Sequence, residues 1–184
     1  MAVNLTKVAK KARDYEYILL MMRHAKTEKV SHDGDDAARE LTDKGRKQAK
    51  HVAKALDGLG LIPDVMAVSG AKRTRQTAER MLKVFGDKPE VTYHKKLYTD
   101  GLSEVSSILS AQKKKKKILM IIGHEPTMSE GSLWWSEGSS HALEALQIGL
   151  SPASVAVLGA HKPFDQWDIH EADVLAVITA KDCD

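Results

Sequence analysis

The sequence predicts an α/β fold: a three-layer α/β/α sandwich around a mostly parallel sheet, with an antiparallel edge strand near the C-terminus. Three observations predict it. The apolar runs at 17–22 and 118–122, YILLMM and ILMII, show no polar alternation, as strands buried on both faces require. Segments of helical periodicity separate the strand-like runs, so the two element types alternate along the chain. Both runs end abruptly in chemically capable residues, Arg23-His24 after the first and Gly123-His124-Glu125-Pro126 after the second. Open α/β sheets bind ligands at that carboxyl edge.

The elements follow in order. Residues 1–14 have weak periodicity and read as a frayed arm or short helix ahead of a single domain at 15–184. After the first strand, 27–41 is a polar loop rich in Asp and Gly. Thr42 is the N-cap of a helix with apolar positions Ala49, Val52, Ala53 and Leu56. Gly58 and Gly60 end it, and Pro63 blocks its return. A short strand at 64–68 runs into Ser69-Gly70. The next helix passes through Thr77, Ala78, Met81 and Leu82 to about Phe85, with Gly86 and Pro89 after it. A strand at 91–93 and a helix at 102–109 precede the strand at 118–122. A helix follows Pro126, then a loop at 138–140 and a helix at 142–146. Strands at 154–158, 167–170 and 174–178 complete the chain.

A chain of 184 residues can bury a core without covalent staples. Cys183 is its only cysteine, so no intrachain disulfide forms, which fits a cytoplasmic protein. No apolar run approaches the ~18 residues of a membrane span, and no signal-peptide pattern is present, so a membrane is not an expected partner. The net charge is +3, and much of the excess lies in the lysine block at 113–117. That block has no interleaved aromatics and reads as a solvated loop rather than a nucleic-acid surface. The histidines at 32, 51, 94, 141, 161 and 170 share no metal-ligand spacing. The acidic stretch at 33–36 lacks the spacing and closing Glu of a calcium loop. No metal or cofactor is expected.

Three clusters carry chemistry: Arg23-His24, Arg73 within SGAKRTRQTA at 69–78, and His124. The first and third follow strands directly, and Arg73 opens a helix after the strand that ends at Ser69. All three therefore point to one sheet edge. Guanidinium forks match phosphate oxygens, and a helix start adds N–H donors for an anion. Two arginines, two histidines and a helix start suit a phosphoryl dianion. Singly, each piece has a structural reading: a strand-end histidine satisfying backbone, an arginine pairing a surface carboxylate, a proline opening a helix.

Taken in order, these motifs resemble the histidine phosphatase superfamily, which includes the phosphoglycerate mutases. RHAKTE is similar to its Arg-His-Gly/Ala signature and SGAKRTRQTAE to its Ser-x-x-x-Arg-x-x-Gln-Thr-Ala segment. GHEP resembles Gly-His-Asn-Pro, and DAARELTDKG at 36–45 resembles the Asp-x-x-Arg-Pro-Leu-Thr-x-x-Gly segment. The short length without insertions resembles the small phosphohistidine phosphatases typified by SixA. The resemblance spans roughly 17–158 and implies a phosphoglycerate mutase-like fold and a metal-independent phosphatase. It implies His24 as the nucleophile, Arg23 and Arg73 as phosphoryl clamps and His124 as a further donor. A neutral imidazole is a competent nucleophile near pH 7, and fixed donors supply the charge neutralisation phosphoryl transfer needs. The implied partner is a protein phosphohistidine. The alternatives are a small phosphorylated metabolite handled by the same chemistry, and a phosphate-binding module without turnover.

Departures from the pattern qualify the roles. Glu125 stands where the family has Asn, and a carboxylate there repels an anion unless it faces away or pairs with a cation. The family's general-acid position has no clear match. Asp100 and Glu104 are the candidates, and a weak acid favours P–N bonds or activated esters over alkoxide leaving groups. Arg39 either approaches the phosphate or pairs with Asp36. Thr27 either lends a hydroxyl to substrate or caps the turn. With Glu125, these two are the candidate substrate-binding positions. Trp134-Trp135 reads as packing on the sheet or lining the rim.

Overall fold

A computed structural model describes residues 2–137 and 141–183. Among the described residues the helices and strands run in the order α1 (Leu5–Ala12), β1 (Tyr17–Arg23), α2 (Asp43–Gly58), β2 (Val65–Ser69), α3 (Lys72–Phe85), β3 (Glu90–His94), α4 (Leu102–Ser110), β4 (Ile118–Gly123), α5 (Thr127–Trp134), β5 (Ser136–Glu137), α6 (His141–Ile148), β6 (Val155–Ala160) and β7 (Ala172–Ile178). The strands form one seven-stranded sheet in the order β3-β2-β4-β1-β6-β7-β5.

The centre of this sheet explains why β1 and β4 are unbroken apolar runs. Alternate β1 side chains enter opposite layers. Ile18, Leu20 and Met22 join Val52, Leu56, Met81 and Phe85 on one face. Tyr17, Leu19 and Met21 join Val105, Ile108, Met128 and Leu146 on the other. Helices α1 to α3 cover the first face and α4 to α6 the second. Neither face has room for the polar half of a two-residue repeat. Segment 5–12 is a helix capped by Asn4, and its Val8 and Ala12 are buried in the first layer.

β1 pairs in parallel with β4, β4 with β2, and β2 with β3. The antiparallel strand expected at the C-terminal margin is β6, which runs against both β1 and β7. It lies inside the sheet, because β7 and the two-residue β5 continue beyond it. The strand expected at 167–170 does not form. Residues Phe164–Gln166 make a single 3-10 turn, and Trp167 turns its indole N–H to the Lys162 carbonyl at 2.8 Å. His170 adopts a positive φ of 60° and donates its backbone N–H to Trp134. The β-branched and aromatic composition was misleading there, because these side chains pack a turn. β5 is too short to leave a periodic signal. The loop expected at 138–140 lies outside the described residues. Trp135 is buried and Trp134 is exposed. In the lysine block, Lys116 pairs with Glu90 and Lys117 with Glu16. Among the described residues no helix is long and apolar enough to cross a membrane.

Helix α2 is seated tightly against the loop after β1. Thr42 caps it by accepting from the Gly45 N–H at 3.0 Å, and the Thr42 N–H donates to the Lys26 carbonyl at 3.0 Å. A Cβ on Gly45 would stand 2.0 Å from that same carbonyl oxygen. Gly45→Ala is therefore expected to cost about 1–3 kcal/mol in urea unfolding through backbone displacement. Gly58→Ala, with nothing within 4 Å of the added carbon, should be neutral or stabilising by up to about 1 kcal/mol. Equal effects of the two substitutions would contradict the close approach.

Candidate active site

Strand register builds the site. Arg23 is the register partner of Gly123, so the residues that follow, His24 and His124, emerge side by side from adjacent parallel strands. The His24 N–H donates to the Gly123 carbonyl at 3.1 Å, and the two imidazole rings lie 5.5 Å apart. β2 pairs with β4 on the far side and ends at Ser69, whose hydroxyl lies 2.7 Å from Nε2 of His124. Three residues later α3 begins, carrying Arg73 in its first turn. Thr77 ties this turn to β1: its hydroxyl donates to the Arg73 carbonyl and accepts from the Ala25 N–H. Gln76 holds the polar loop by accepting from the Leu41 N–H at 2.8 Å.

The four expected side chains are thus brought together; His24 (8% exposed) and Arg73 (4%) are buried, and Arg23 and His124 are half-buried. Among the described residues, five buried side-chain polar atoms have no hydrogen-bond partner. Four of them belong to this edge: Nε of Arg23, Nε of Arg73, Nδ1 of His124 and Oε1 of Glu125. Buried polar groups are nearly always paired, so their clustering marks a place where a ligand supplies the partners.

Tautomers follow from the contacts. Nδ1 of His24 lies 2.9 Å from the Ala25 carbonyl oxygen, which can only accept. Nδ1 therefore carries the proton, and Nε2 keeps its lone pair. Burial lowers the His24 pKa to about 4, helped by the charges of Arg73, Arg23 and Arg39. Burial lowers that of His124 to about 3, with Arg73 adding to the effect. Both rings are neutral at pH 7. When the Ser69 hydroxyl donates to Nε2 of His124, the ring proton sits on the unpartnered Nδ1, an N–H donor in the cluster.

The remaining candidates separate. Arg39 takes the pairing alternative: its Nε donates to Asp36 at 2.8 Å, and Nη1 reaches Thr27 Oγ1 and the Glu28 carbonyl at 3.3 Å each. Thr27 thereby holds Arg39. Glu125 is engaged by the Ser129 hydroxyl at 2.6 Å, and Ser129 also accepts from the Leu150 N–H. The Leu150 carbonyl accepts from Nη1 of Arg23 at 2.8 Å. Asp100 accepts from Thr99 at 2.6 Å, and Glu104 pairs with His94 at 3.1 Å, so both acids make their bonds away from the two imidazoles. The acidic stretch is used locally: Asp33 and Asp35 accept backbone N–H groups two residues ahead.

Three residues of the site were not singled out in the sequence. Ser69 was visible only as a strand end. Tyr98 sits in the segment searched for an acid, yet its ring lies edge-on to His124 at 5.2 Å and 5.6 Å from the Arg73 guanidinium. Asp36 was read as a partner of Arg39, and it also binds Arg73. The three-residue spacing from Asp36 to Arg39 was the available signal.

The family model described as histidine phosphatase superfamily (branch 1) matches residues 19–105. Over that segment, which holds Arg23, His24 and Arg73, the chain is similar to the histidine phosphatase superfamily. A structure of a proposed phosphohistidine phosphatase SixA from Nakamurella multipartitia is 26% identical, with a TM-score of 0.76 over 88% of this chain and 94% of that one. A second, from Agrobacterium tumefaciens, is 24% identical, with a TM-score of 0.73 over 90% and 99%. A protein histidine phosphatase SixA complexed with tungstate is 16% identical and shares the fold, with a TM-score of 0.75 over 91% and 99%. No match was found among curated proteins. In length and fold the chain is similar to these small SixA structures.

The depressed imidazole pKa values have a consequence for stability. Between the unfolded value of ~6.5 and the folded values of about 4 and about 3, the unfolded chain binds protons that the folded one refuses. Unfolding free energy should therefore fall as pH drops from 6.5 to 4.5. The double variant His24→Gln, His124→Gln should flatten that slope. A wild-type profile level over this interval would contradict the neutral, buried imidazoles.

Proposed function

We propose that this protein is a metal-independent phosphatase working through a covalent phosphohistidine on His24, with a protein phosphohistidine as substrate. The observation that carries the reading is the set of unpartnered buried nitrogens on Arg23, Arg73 and His124, gathered around an imidazole whose Nε2 holds a free lone pair. Nε2 attacks phosphorus as the bond to the leaving group breaks. Arg23, Arg73 and the Nδ1–H of His124 neutralise the oxygens, which is most of what a loose transition state requires. Water then attacks the phosphohistidine, releasing inorganic phosphate and restoring the neutral ring. No step calls for a metal.

The substrate class follows from the acids. Asp100 and Glu104 each hold a hydrogen bond elsewhere, which supports a leaving group that needs little protonation. An alkoxide needs a proton as it departs, whereas the imidazole of a protonated phosphohistidine leaves already neutral.

His24→Ala should abolish hydrolysis of an aryl phosphate, and an alkaline quench of the wild type should trap a base-stable, acid-labile phosphoryl label on His24. Turnover retained by the variant would exclude the covalent route. Arg73→Ala should lower kcat by about 10²–10³, the effect of removing one oxyanion donor; a change below threefold would contradict the clamp. A phosphohistidine peptide should be hydrolysed in preference to a panel of phosphorylated metabolites. The opposite preference would assign a small phosphoester, and phosphate binding with no turnover of any substrate would assign a binding module.

A further inference from the structure

Arg73 is held from outside by one residue. Its Nη1 donates to the Asp36 backbone carbonyl at 2.7 Å, and its Nη2 donates to Oδ2 of the same residue at 3.1 Å. Those two bonds occupy the end-on edge of the guanidinium. On the side-on edge, Nε is buried without a partner. Forked N–H pairs match two oxygens of a phosphoryl group. Asp36 is itself braced: Arg39 donates to Oδ1 at 2.8 Å, and the Tyr98 hydroxyl donates to Oδ2 at 2.6 Å.

We propose that Asp36 is a positioning residue for phosphoryl transfer: it grips the outer edge of Arg73 so that the inner fork faces the phosphoryl group. This rests on the phosphatase reading above. A long arginine side chain has rotamer freedom to lose, and a catalytic donor must be held within a fraction of an ångström to stabilise charge as it develops. The bonds to Asp36 perform that ordering before substrate arrives. The brace also explains why a carboxylate is tolerated beside an anion site, since Arg39 and Arg73 flank it with two positive charges.

Two simpler roles for Asp36 predict the opposite sign in binding. If its charge merely repels anions, or if it competes with substrate for Arg73, removing it should tighten oxyanion binding. If it positions Arg73, removal should weaken binding. The experiment is tungstate affinity by calorimetry, with aryl phosphate kinetics, on wild type, Asp36→Ala and Asp36→Asn. Asp36→Ala should weaken tungstate at least threefold and lower kcat at least tenfold. Asp36→Asn, which keeps one side-chain acceptor, should recover part of both. Tungstate binding by Asp36→Ala that is tighter, or weaker by less than threefold, overturns the proposal. A wild type that binds no tungstate overturns the phosphatase reading together with it. A wild type that forms the His24 phosphoenzyme, beside an Asp36→Ala protein that binds tungstate normally, overturns the positioning role alone.

Discussion

Burying a guanidinium nitrogen without a partner costs free energy, about 1–3 kcal/mol for a neutral group and more for a charged one. The C-terminal edge of this sheet does so at both Arg23 and Arg73, and adds an unpaired ring nitrogen of His124. The rest of the molecule makes that arrangement possible. The strands beneath are packed on both faces, and their ends are locked in register. Donors that cannot relax toward one another must wait for an anion. In the proposed function, the unmet hydrogen bonds of this edge are the ones a phosphoryl group would satisfy.

The same packing sets the protonation chemistry. An imidazole in water is half charged near its pKa of ~6.5. Here burial beside cations keeps both rings neutral at pH 7. In the proposed mechanism that is the form in which His24 attacks, and the Ala25 carbonyl leaves Nε2 with the lone pair. For His124 the Ser69 contact engages Nε2 and leaves Nδ1 without a partner. Backbone and a strand-end hydroxyl, neither of them an obvious catalytic group, thus choose the working atom of each ring.

The strand ends were legible in the sequence because the sheet has one rule: apolar runs buried on both faces end where polar chemistry begins. Tyr17 to Met22 and Ile118 to Ile122 obey it, and His24 and His124 follow directly. Arg73 was legible through its motif and its place at a helix start. Asp36 was legible as a partner of Arg39, but its contacts with Arg73 and Tyr98 were not, since the polar loop has no period and nothing local brings position 98 to position 36. Their contact depends on how the loop folds back onto α3. The strand expected at 167–170 failed for a related reason. Composition there favours extended backbone, but Trp167 and His170 find hydrogen-bond partners across a turn that no neighbouring strand demands. Antiparallel β6 shows the converse: its apolar character was read correctly, while its place inside the sheet depends on the strands that pass beyond it.

Charge balance explains why the acidic residues near the site do not cancel it. Asp36 is held well below the usual carboxylate range, to about 2, by the Tyr98 hydroxyl and then by Arg73 and Arg39. It is therefore fully ionised, yet its charge is shared between two guanidinium groups. Glu125 is drawn onto Ser129, which in turn is tied through Leu150 to Arg23. Each arginine clamp thus has a carboxylate within its network, one by direct contact and one through a hydroxyl and a peptide unit. With both histidines neutral, Arg23, Arg39 and Arg73 against Asp36 and Glu125 leave a small net positive charge. A dianion is attracted by the directed N–H groups more than by bulk field, so binding depends on where those groups point. The contacts that orient the arginines are then as consequential as the arginines themselves.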